Sequence, residues 1–262
     1  MKLLSTPKPF VGMIHLVPLA GSVNYARQGA SSILDAALRD LAALEKGGVD
    51  AVLVENFGDV PFAKVAPTET IAMMAVVVHR LVDKARVPLG VNVLRNDGLA
   101  ALAIAAATGA AFVRVNVFAG VAFTDQGMIE GQARELHRLR HDLAAEVEIL
   151  ADVHVKHAAH LTRLEQAVVD VDRNRPDALI LSGMGTGFHT DAADLEAAKR
   201  LTRLPMFVGS GVSAESVSAY RQADGFIVGT SLKEGGRVDA PVDARRVRTL
   251  ADAIAALRNV SS

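Results

Sequence analysis

Eight short apolar runs, rich in β-branched residues, recur along the chain, and most are separated by helical patterns. They cover residues 10–16, 50–56, 89–94, 112–117, 148–155, 178–182, 206–208 and 225–228. Continuous apolar runs of this kind are typical of parallel strands that helices cover on the outside. The alternation predicts an α/β protein: a single (β/α)8 TIM barrel over residues 1–262, with its core at about 9–258. An open doubly wound sheet is the alternative, because a sequence cannot show whether the last strand pairs with the first.

Helical patterns fill the intervals between the runs. We expect helices over 32–46, after Pro67, and over 98–108, 126–145, 164–173, 191–202, 214–222 and 242–258. The turns from helix to strand are short, whereas the loops from strand to helix are longer and hold the unusual residues. Because TIM barrels place their sites in those longer loops, we expect the functional residues there.

The composition limits the kinds of partner and site that the chain is expected to have. The net charge of −1 gives no electrostatic reason to expect nucleic acid or an anionic membrane as a partner. The chain has no Cys, which excludes disulfides, thiolate metal sites and Cys nucleophiles. The Ala-rich uncharged run 98–113 is too short to span a bilayer, so we expect a cytoplasmic protein without an integral membrane segment. A homo-oligomer is a prior expectation for a barrel with outer helices.

Two small-residue turns follow the last two predicted strands. Both would allow main-chain N–H groups to approach an anion at the start of a helix. We therefore predict a phosphate site made by Gly209, Ser210, Gly211, Gly229, Thr230 and Ser231. Lys233 falls in the first predicted helical turn after the last strand, where it could meet the same anion; a solvated surface lysine is the alternative. A third glycine-rich turn at 183–187 could touch phosphate or ribose.

Polar residues interrupt the ends of the first five predicted strands. With a period of two, Asp152, His154 and Lys156 share one face of the fifth strand. The candidate catalytic residues are Asp152, His154, Lys156, Glu55, Arg114, Asn116 and Asn92. A buried ion-pair network or structural clamps are the alternatives, since unpaired charge is costly inside a core. His15 is interpreted as a hydrogen-bonded core histidine, and His157 as a structural residue on the opposite face from Lys156.

Several roles are open to this cluster. Lys156 could form a Schiff base or hold a substrate oxyanion, and Asp152 and His154 could act as general acid and base. Asp152 and His154, with Glu55 and His15, could also bind a divalent metal, although Asp-x-His on a strand is weak support for one. No cofactor is otherwise indicated.

Two loops complete the candidate site. The loop at 55–62 mixes carboxylates, glycine and aromatic residues, so it could be a lid that brings Asp59 into the site. A packed surface loop is the alternative. Thr124 is predicted to cap the helix over 126–145, and the role of Asp125 is left open.

The motifs of the chain resemble, in order, those of the BtpA/SgcQ family. The similar segments are 13–16, 54–62, 90–97, 114–117, 124–127, 151–157 and 228–233, and the similarity runs from about 10 to 257. The resemblance implies a ribulose-phosphate-binding barrel but supplies no established catalytic set. One family member is linked to photosystem I biogenesis, and another, encoded near sugar-uptake genes, is described as a nucleosidase. At 18–23 two prolines of the usual Pro-Leu-Pro-Gly-Ser-Pro turn are absent, which predicts a less rigid first loop.

Together these features predict an enzyme that binds a phosphorylated pentose or nucleoside-like molecule at the C-terminal face of the barrel. Its reaction would be that of a nucleosidase, a lyase or an isomerase. The alternative is a non-catalytic assembly factor that uses the barrel as a scaffold or ligand sensor.

Overall fold

The computed structural model describes residues 2–155, 157–183 and 191–260, and in these residues eight parallel strands close into a barrel. The barrel strands are β1 (Phe10–His15), β2 (Ala51–Glu55), β3 (Leu89–Asn92), β4 (Phe112–Val115), β7 (Glu148–Asp152), β9 (Ala178–Leu181), β10 (Met206–Val208) and β11 (Gly225–Val228). The last strand pairs with the first, with Phe10 opposite Phe226. This closure confirms the predicted TIM barrel and excludes the alternative, an open doubly wound sheet.

Helices surround the barrel. They are α1 (Gly29–Gly47), α2 (Thr68–Lys84), α3 (Gly98–Thr108), α4 (Ala133–Asp142), α5 (Leu164–Arg173), α6 (Ala192–Lys199) and α7 (Ala244–Val260). Short 3-10 helices cover Leu3–Ser5, Phe57–Asp59, Val217–Tyr220, Thr230–Leu232 and Glu234–Gly236. Among the helices in the described part of the chain, none is both long and apolar enough to cross a membrane.

The predicted helix over 126–145 is wrong in its first part. Residues 121–130 form an antiparallel hairpin of β5 (Val121–Thr124) and β6 (Gly127–Glu130), and α4 begins only at Ala133. Thr124 does not cap a helix. Its hydroxyl donates to the Gly127 carbonyl (3.0 Å) and accepts from the Gln126 N–H (3.2 Å), and Gly127 takes a φ of +92°, so a tight turn forms instead.

The predicted helix over 214–222 is also wrong, because only the 3-10 turn Val217–Tyr220 forms there. The Ser216 hydroxyl accepts from the Ser213 N–H (2.9 Å) and donates to the Gly211 carbonyl (3.0 Å). Serine side chains that bond to nearby main chain compete with helix formation in this way.

The hairpin belongs to a second, three-stranded sheet. Its strand β5 pairs on one edge with β6 and on the other with β8 (Ala158–His160). The hairpin follows β4 and β8 follows β7, so the sheet is built from two strand-to-helix loops. It lies on the side of the barrel where a TIM-barrel site is expected.

Two apolar layers hold the barrel together, one between strands and helices and one inside the barrel. Leu3 closes the N-terminal end of the inner layer, where its N–H donates to Glu148 (2.9 Å). A Cβ at Gly90 would lie 2.2 Å from the Phe112 ring, so the glycine makes room for that ring in the inner layer.

Candidate functional site

Residue alternation along the strands gives the barrel interior an apolar floor and a polar upper layer. Met13, Leu53 and Leu150 belong to the apolar inner layer. Two residues further along their strands stand His15, Glu55 and Asp152, and side chains two apart share a face of a strand. The register aligns His15 with Glu55 and Glu55 with Asn92. The predicted polar layer at the C-terminal ends of the strands is therefore present.

Arg114 and Asp152 form the centre of this layer. The guanidinium donates twice to the carboxylate, from Nε to Oδ2 and from Nη2 to Oδ1, both at 2.9 Å. The amide of Asn116 donates to the same carboxylate (2.9 Å), as does the hydroxyl of Ser182 (3.1 Å). The amide of Asn92 donates to Asn116 Oδ1 (3.1 Å) and to the Arg114 carbonyl (3.0 Å). Side chains from four strands or strand ends are thus locked by one carboxylate and its neighbours.

Electrostatics explain why the buried guanidinium of Arg114 stays charged. Burial acts to lower the pKa of Arg114, but the attraction and hydrogen bonds of Asp152 outweigh burial, and the pKa lies above its ordinary value. For Arg95, which is also buried, the balance is reversed and the pKa lies below its ordinary value. Burial lowers its pKa against the attraction of Asp152, Asp125 and Glu55.

A cavity of about 600 Å³ opens above the polar layer. Its volume lies within the range of pockets that hold small organic ligands. Both small-residue turns line it, as do polar residues from the barrel and loops and a set of apolar side chains. The polar side chains along its wall are His15, Glu55, Arg95, Arg114, Asn116, Asp125, His157, Ser210, Ser213, Thr230, Ser231 and Arg246. The apolar ones are Met13, Phe57, Val60, Phe62, Leu94, Val155, Val212, Ile227, Val228 and Val238.

The two small-residue turns lie side by side at this cavity. The Ser231 hydroxyl donates to the Val212 carbonyl (2.7 Å), which joins one turn to the other. Gly211 has a φ of +69°, a backbone conformation that favours glycine. The first bond of the 3-10 helix Thr230–Leu232 runs from the Leu232 N–H to the Gly229 carbonyl (3.0 Å). The main-chain N–H groups of Thr230 and Ser231 come before that bond, at the end of the helix where donors lack intrahelical partners.

Lys233 does not join these turns, contrary to the sequence prediction, and it is not a solvated lysine either. Its ammonium is buried against Asp40 on α1, with Nζ 3.1 Å from Oδ2. The short helix Thr230–Leu232 turns the chain at that point, and Lys233 then pairs as an isolated strand residue with Val242.

Asp152 lies beneath the cavity rather than on its wall. The residue is 1% exposed, and its carboxylate already accepts hydrogen bonds from Arg114, Asn116 and Ser182. Its geometry suits a residue that positions Arg114 and Asn116, both of which line the cavity. Asn92 is also 1% exposed and supports Asn116 from below.

His154 is not on the same face as Asp152, which corrects the sequence prediction. The strand ends at Asp152 and the chain bends, so strand alternation no longer applies. The His154 ring stacks on His160 of β8, with centroids 4.1 Å apart, and it does not line the cavity. His157 does line the cavity, although strand alternation in the sequence predicted that it faces away from Lys156 as a structural residue. Lys156 lies outside the described residues, as do residues 184–187 of the third glycine-rich turn.

His154 makes stability depend on pH. Burial, with the neighbouring His160, lowers its pKa to about 4 from an ordinary value of 6.5. The unfolded chain therefore takes up this proton first, and stability is lost as the pH falls from about 6.5 towards 4. We expect His154→Gln to flatten this part of the profile of unfolding free energy against pH, measured by urea denaturation. An unchanged slope in His154→Gln would contradict the assignment.

Asp59 does not enter the cavity. Its buried carboxylate accepts from the Leu19 N–H (2.8 Å) and from the Asn56 amide (3.0 Å), which joins the first and second strand-to-helix loops. Burial raises its pKa, and these two hydrogen bonds oppose the rise. From the same loop Phe57, Val60 and Phe62 line the cavity, so the loop contributes apolar surface. Phe57 also stacks on His15, with ring centroids 4.6 Å apart.

Three charged residues of the cavity wall were missed or left open by the sequence analysis. Arg95 follows the third strand within the family-like segment 90–97, so its position three residues after Asn92 was a usable signal. Asp125 stands at the hairpin turn. Because a helix was predicted there instead of a hairpin, the sequence did not show that Asp125 reaches the cavity. Arg246 comes from the first turn of α7, where no local pattern indicates a site. Among the described residues, no three His, Cys, Asp or Glu side chains come together to hold a metal ion.

Comparisons with known proteins agree with this architecture. Thiamine phosphate pyrophosphorylase from Pyrococcus furiosus has the same fold, with a TM-score of 0.60 at 12% identity over 98% of this chain and 99% of that one. An uncharacterized protein of Thermococcus kodakarensis is 50% identical over 97% of this chain and 98% of its own length. The photosystem I biogenesis protein BtpA of Synechocystis is 43% identical over 95% of this chain and 89% of its own. The BtpA family model matches residues 6–256, so this barrel, with its glycine turns and polar layer, belongs to the BtpA family.

Proposed function

We propose that this protein is an enzyme that binds a phosphorylated small molecule, of the pentose phosphate or nucleotide type, in the cavity at the C-terminal face of the barrel. The observation that carries the proposal is that both small-residue turns and the polar layer line one cavity. In TIM barrels the loops after the last two barrel strands commonly bind phosphate. The structural likeness to thiamine phosphate pyrophosphorylase supports the barrel fold on which such a site could be built, and nothing about the ligand.

The phosphate would lie at residues 209–211 and 229–231, where main-chain N–H groups and glycines allow close approach. The reacting part of the ligand would then extend towards Glu55, Asp125 and Arg95, which line the same cavity. Two carboxylates near a guanidinium can transfer protons and stabilise developing charge. The chemistry we favour is hydrolysis of an N-glycosidic bond, in which water forms the new C–O bond at the sugar and the departing base takes up a proton. Lyase and isomerase reactions are the other fitting classes.

Asp152 acts in this proposal by holding Arg114 and Asn116 towards the ligand. Lys156 remains a candidate from the sequence, in which it follows Val155, a residue of the cavity wall. Trapping with borohydride in the presence of sugar phosphates tests whether Lys156 forms a Schiff base.

Gly211→Ala should weaken the binding of ribose 5-phosphate by about tenfold or more, because a Cβ is unfavourable at positive φ and the turn must shift. Isothermal titration calorimetry with ribose 5-phosphate and with ribose measures the effect. Gly235→Ala is the matched control: Gly235 also has a positive φ (62°), but it does not line the cavity. Failure of the unaltered protein to prefer ribose 5-phosphate over ribose would refute phosphate binding.

A second candidate role is assembly without catalysis, and the name of the Synechocystis relative favours it. The two roles differ in what they require of the cavity. If the protein acts only as a scaffold, Glu55→Gln and Asn116→Ala should leave its cellular role intact, whereas an enzyme should lose that role with its activity.

A further inference from the structure

We propose that Arg246 supplies the cationic side chain that clamps the ligand's phosphate, an inference that rests on the proposed function. Arg246 stands in the first turn of α7, and its side chain lines the cavity beside the second small-residue turn. Its Nε donates to the main-chain carbonyl of Ser231 at 2.7 Å. The guanidinium is thereby fixed to the turn whose N–H groups would hold the anion.

Among the described residues, the other lysine and arginine side chains considered for this cavity each interact with a carboxylate. Lys233, the cation expected from the sequence, is paired with Asp40 and lies off the cavity. Arg114 has its Nε and Nη2 bonded to Asp152, and Arg95 interacts with Glu55 and Asp125. The Ser231 hydroxyl donates to Val212, so its proton is unavailable to a phosphate. Among the described cations, Arg246 is therefore placed to give the positive charge that a dianion on these turns needs.

The geometry of Arg246 suits that task. A guanidinium has five N–H donors, and the bond to Ser231 uses the one on Nε. In the described part of the chain, its Nη groups donate no further hydrogen bond, which leaves a fork of donors that matches phosphate oxygens. An arginine already anchored through Nε loses less side-chain entropy when it binds.

The surroundings of Arg246 also explain why it stays open to a ligand. Glu215, the acidic neighbour whose pKa Arg246 helps to lower, is fully exposed and bonded chiefly to Ser213. A solvated carboxylate of this kind competes weakly with a phosphate held by main-chain donors as well. The preceding residue, Arg245, is instead bound to Asp243 at 3.1 Å and does not line the cavity.

Titration calorimetry with inorganic phosphate and with ribose 5-phosphate tests the assignment. We expect Arg246→Ala to raise both dissociation constants by about 10- to 100-fold, as loss of a charge-assisted hydrogen bond does. The dissociation constants of Arg246→Lys should fall between those of the unaltered protein and those of Arg246→Ala. Lysine keeps the positive charge but lacks the paired N–H donors of a guanidinium. The dissociation constant of Arg246→Ala should also depend less on salt. Arg245→Ala, one residue away on the same helix, should stay within about twofold of the unaltered protein.

The outcomes separate the inference from the proposed function. If the unaltered protein binds neither phosphate ligand, both the phosphate site and its clamp are overturned. If it binds them and Arg246→Ala binds equally well, only the clamp is overturned. Circular dichroism and thermal unfolding establish that each variant is folded, and Arg246→Gln, which keeps most of the side-chain volume, serves if Arg246→Ala is destabilised.

Discussion

Asp152→Ala should lower the free energy of unfolding by about 3–5 kcal/mol, because it leaves the Arg114 guanidinium buried without its counterion. Arg114 is 5% exposed, and Asp152 accepts two of its hydrogen bonds. The Asn116 amide would lose its acceptor as well. Urea denaturation at neutral pH measures the loss, and ligand binding measured on the folded fraction should fall with it.

Two further variants serve as controls for the effect of Asp152→Ala. Asp142→Ala removes one partner of an exposed pair, Arg138–Asp142 at 3.6 Å, and should cost less than about 1 kcal/mol. The double variant Arg114→Met/Asp152→Leu should be much less unstable than the sum of its single changes, since no charge stays buried alone. A cost for Asp152→Ala as small as that of Asp142→Ala would show that the buried pair is not strongly coupled.

Lys233→Met should also destabilise the protein by about 3–5 kcal/mol, because it breaks a second buried ion pair, between Lys233 and Asp40 on α1. The Lys233 ammonium is 3.1 Å from Asp40, and the other oxygen of Asp40 accepts from the Val242 N–H at 2.9 Å. Without the lysine, the buried carboxylate on α1 keeps only its main-chain partner. Because Lys233 does not line the cavity, the folded fraction should still bind ribose 5-phosphate with unaltered affinity.

Lys233→Met/Asp40→Leu is the companion to this experiment and should recover most of the lost stability. If Lys233→Met instead weakens ribose 5-phosphate binding while stability is unchanged, the lysine reaches the ligand and the structural role is wrong. Urea denaturation and calorimetry on the same preparations distinguish these results.

The barrel could be predicted because its signals are local. Each strand is a short apolar run, and helices such as α3 and α5 begin and end where sequence patterns place them. The small-residue turns at 209–211 and 229–231 were found because they follow strands directly, and the order of strands brings them to one cavity. The polar layer was found for the same reason, since strand alternation extends as far as Asp152.

The parts that sequence reasoning missed depend on contacts between distant segments. His154 left the predicted face because β8 pairs with the hairpin and draws the chain away after Asp152. Lys233 was misplaced because its partner, Asp40, lies on the first helix, 193 residues away. Arg246 reaches the cavity through its bond to Ser231, 15 residues earlier, and neither residue signals that bond in its own neighbourhood.

The shared sheet of β6, β5 and β8 has a consequence for anyone who re-engineers this protein. Strand β5 comes from the loop after β4, and β8 comes from the loop after β7, yet their registers are fixed to each other through Phe123 and Ala159. Asp125 and His157, at the ends of these paired segments, therefore reach the cavity wall as one unit. To transplant or lengthen either loop alone would break that register. The two loops have to be moved together, as a single cassette.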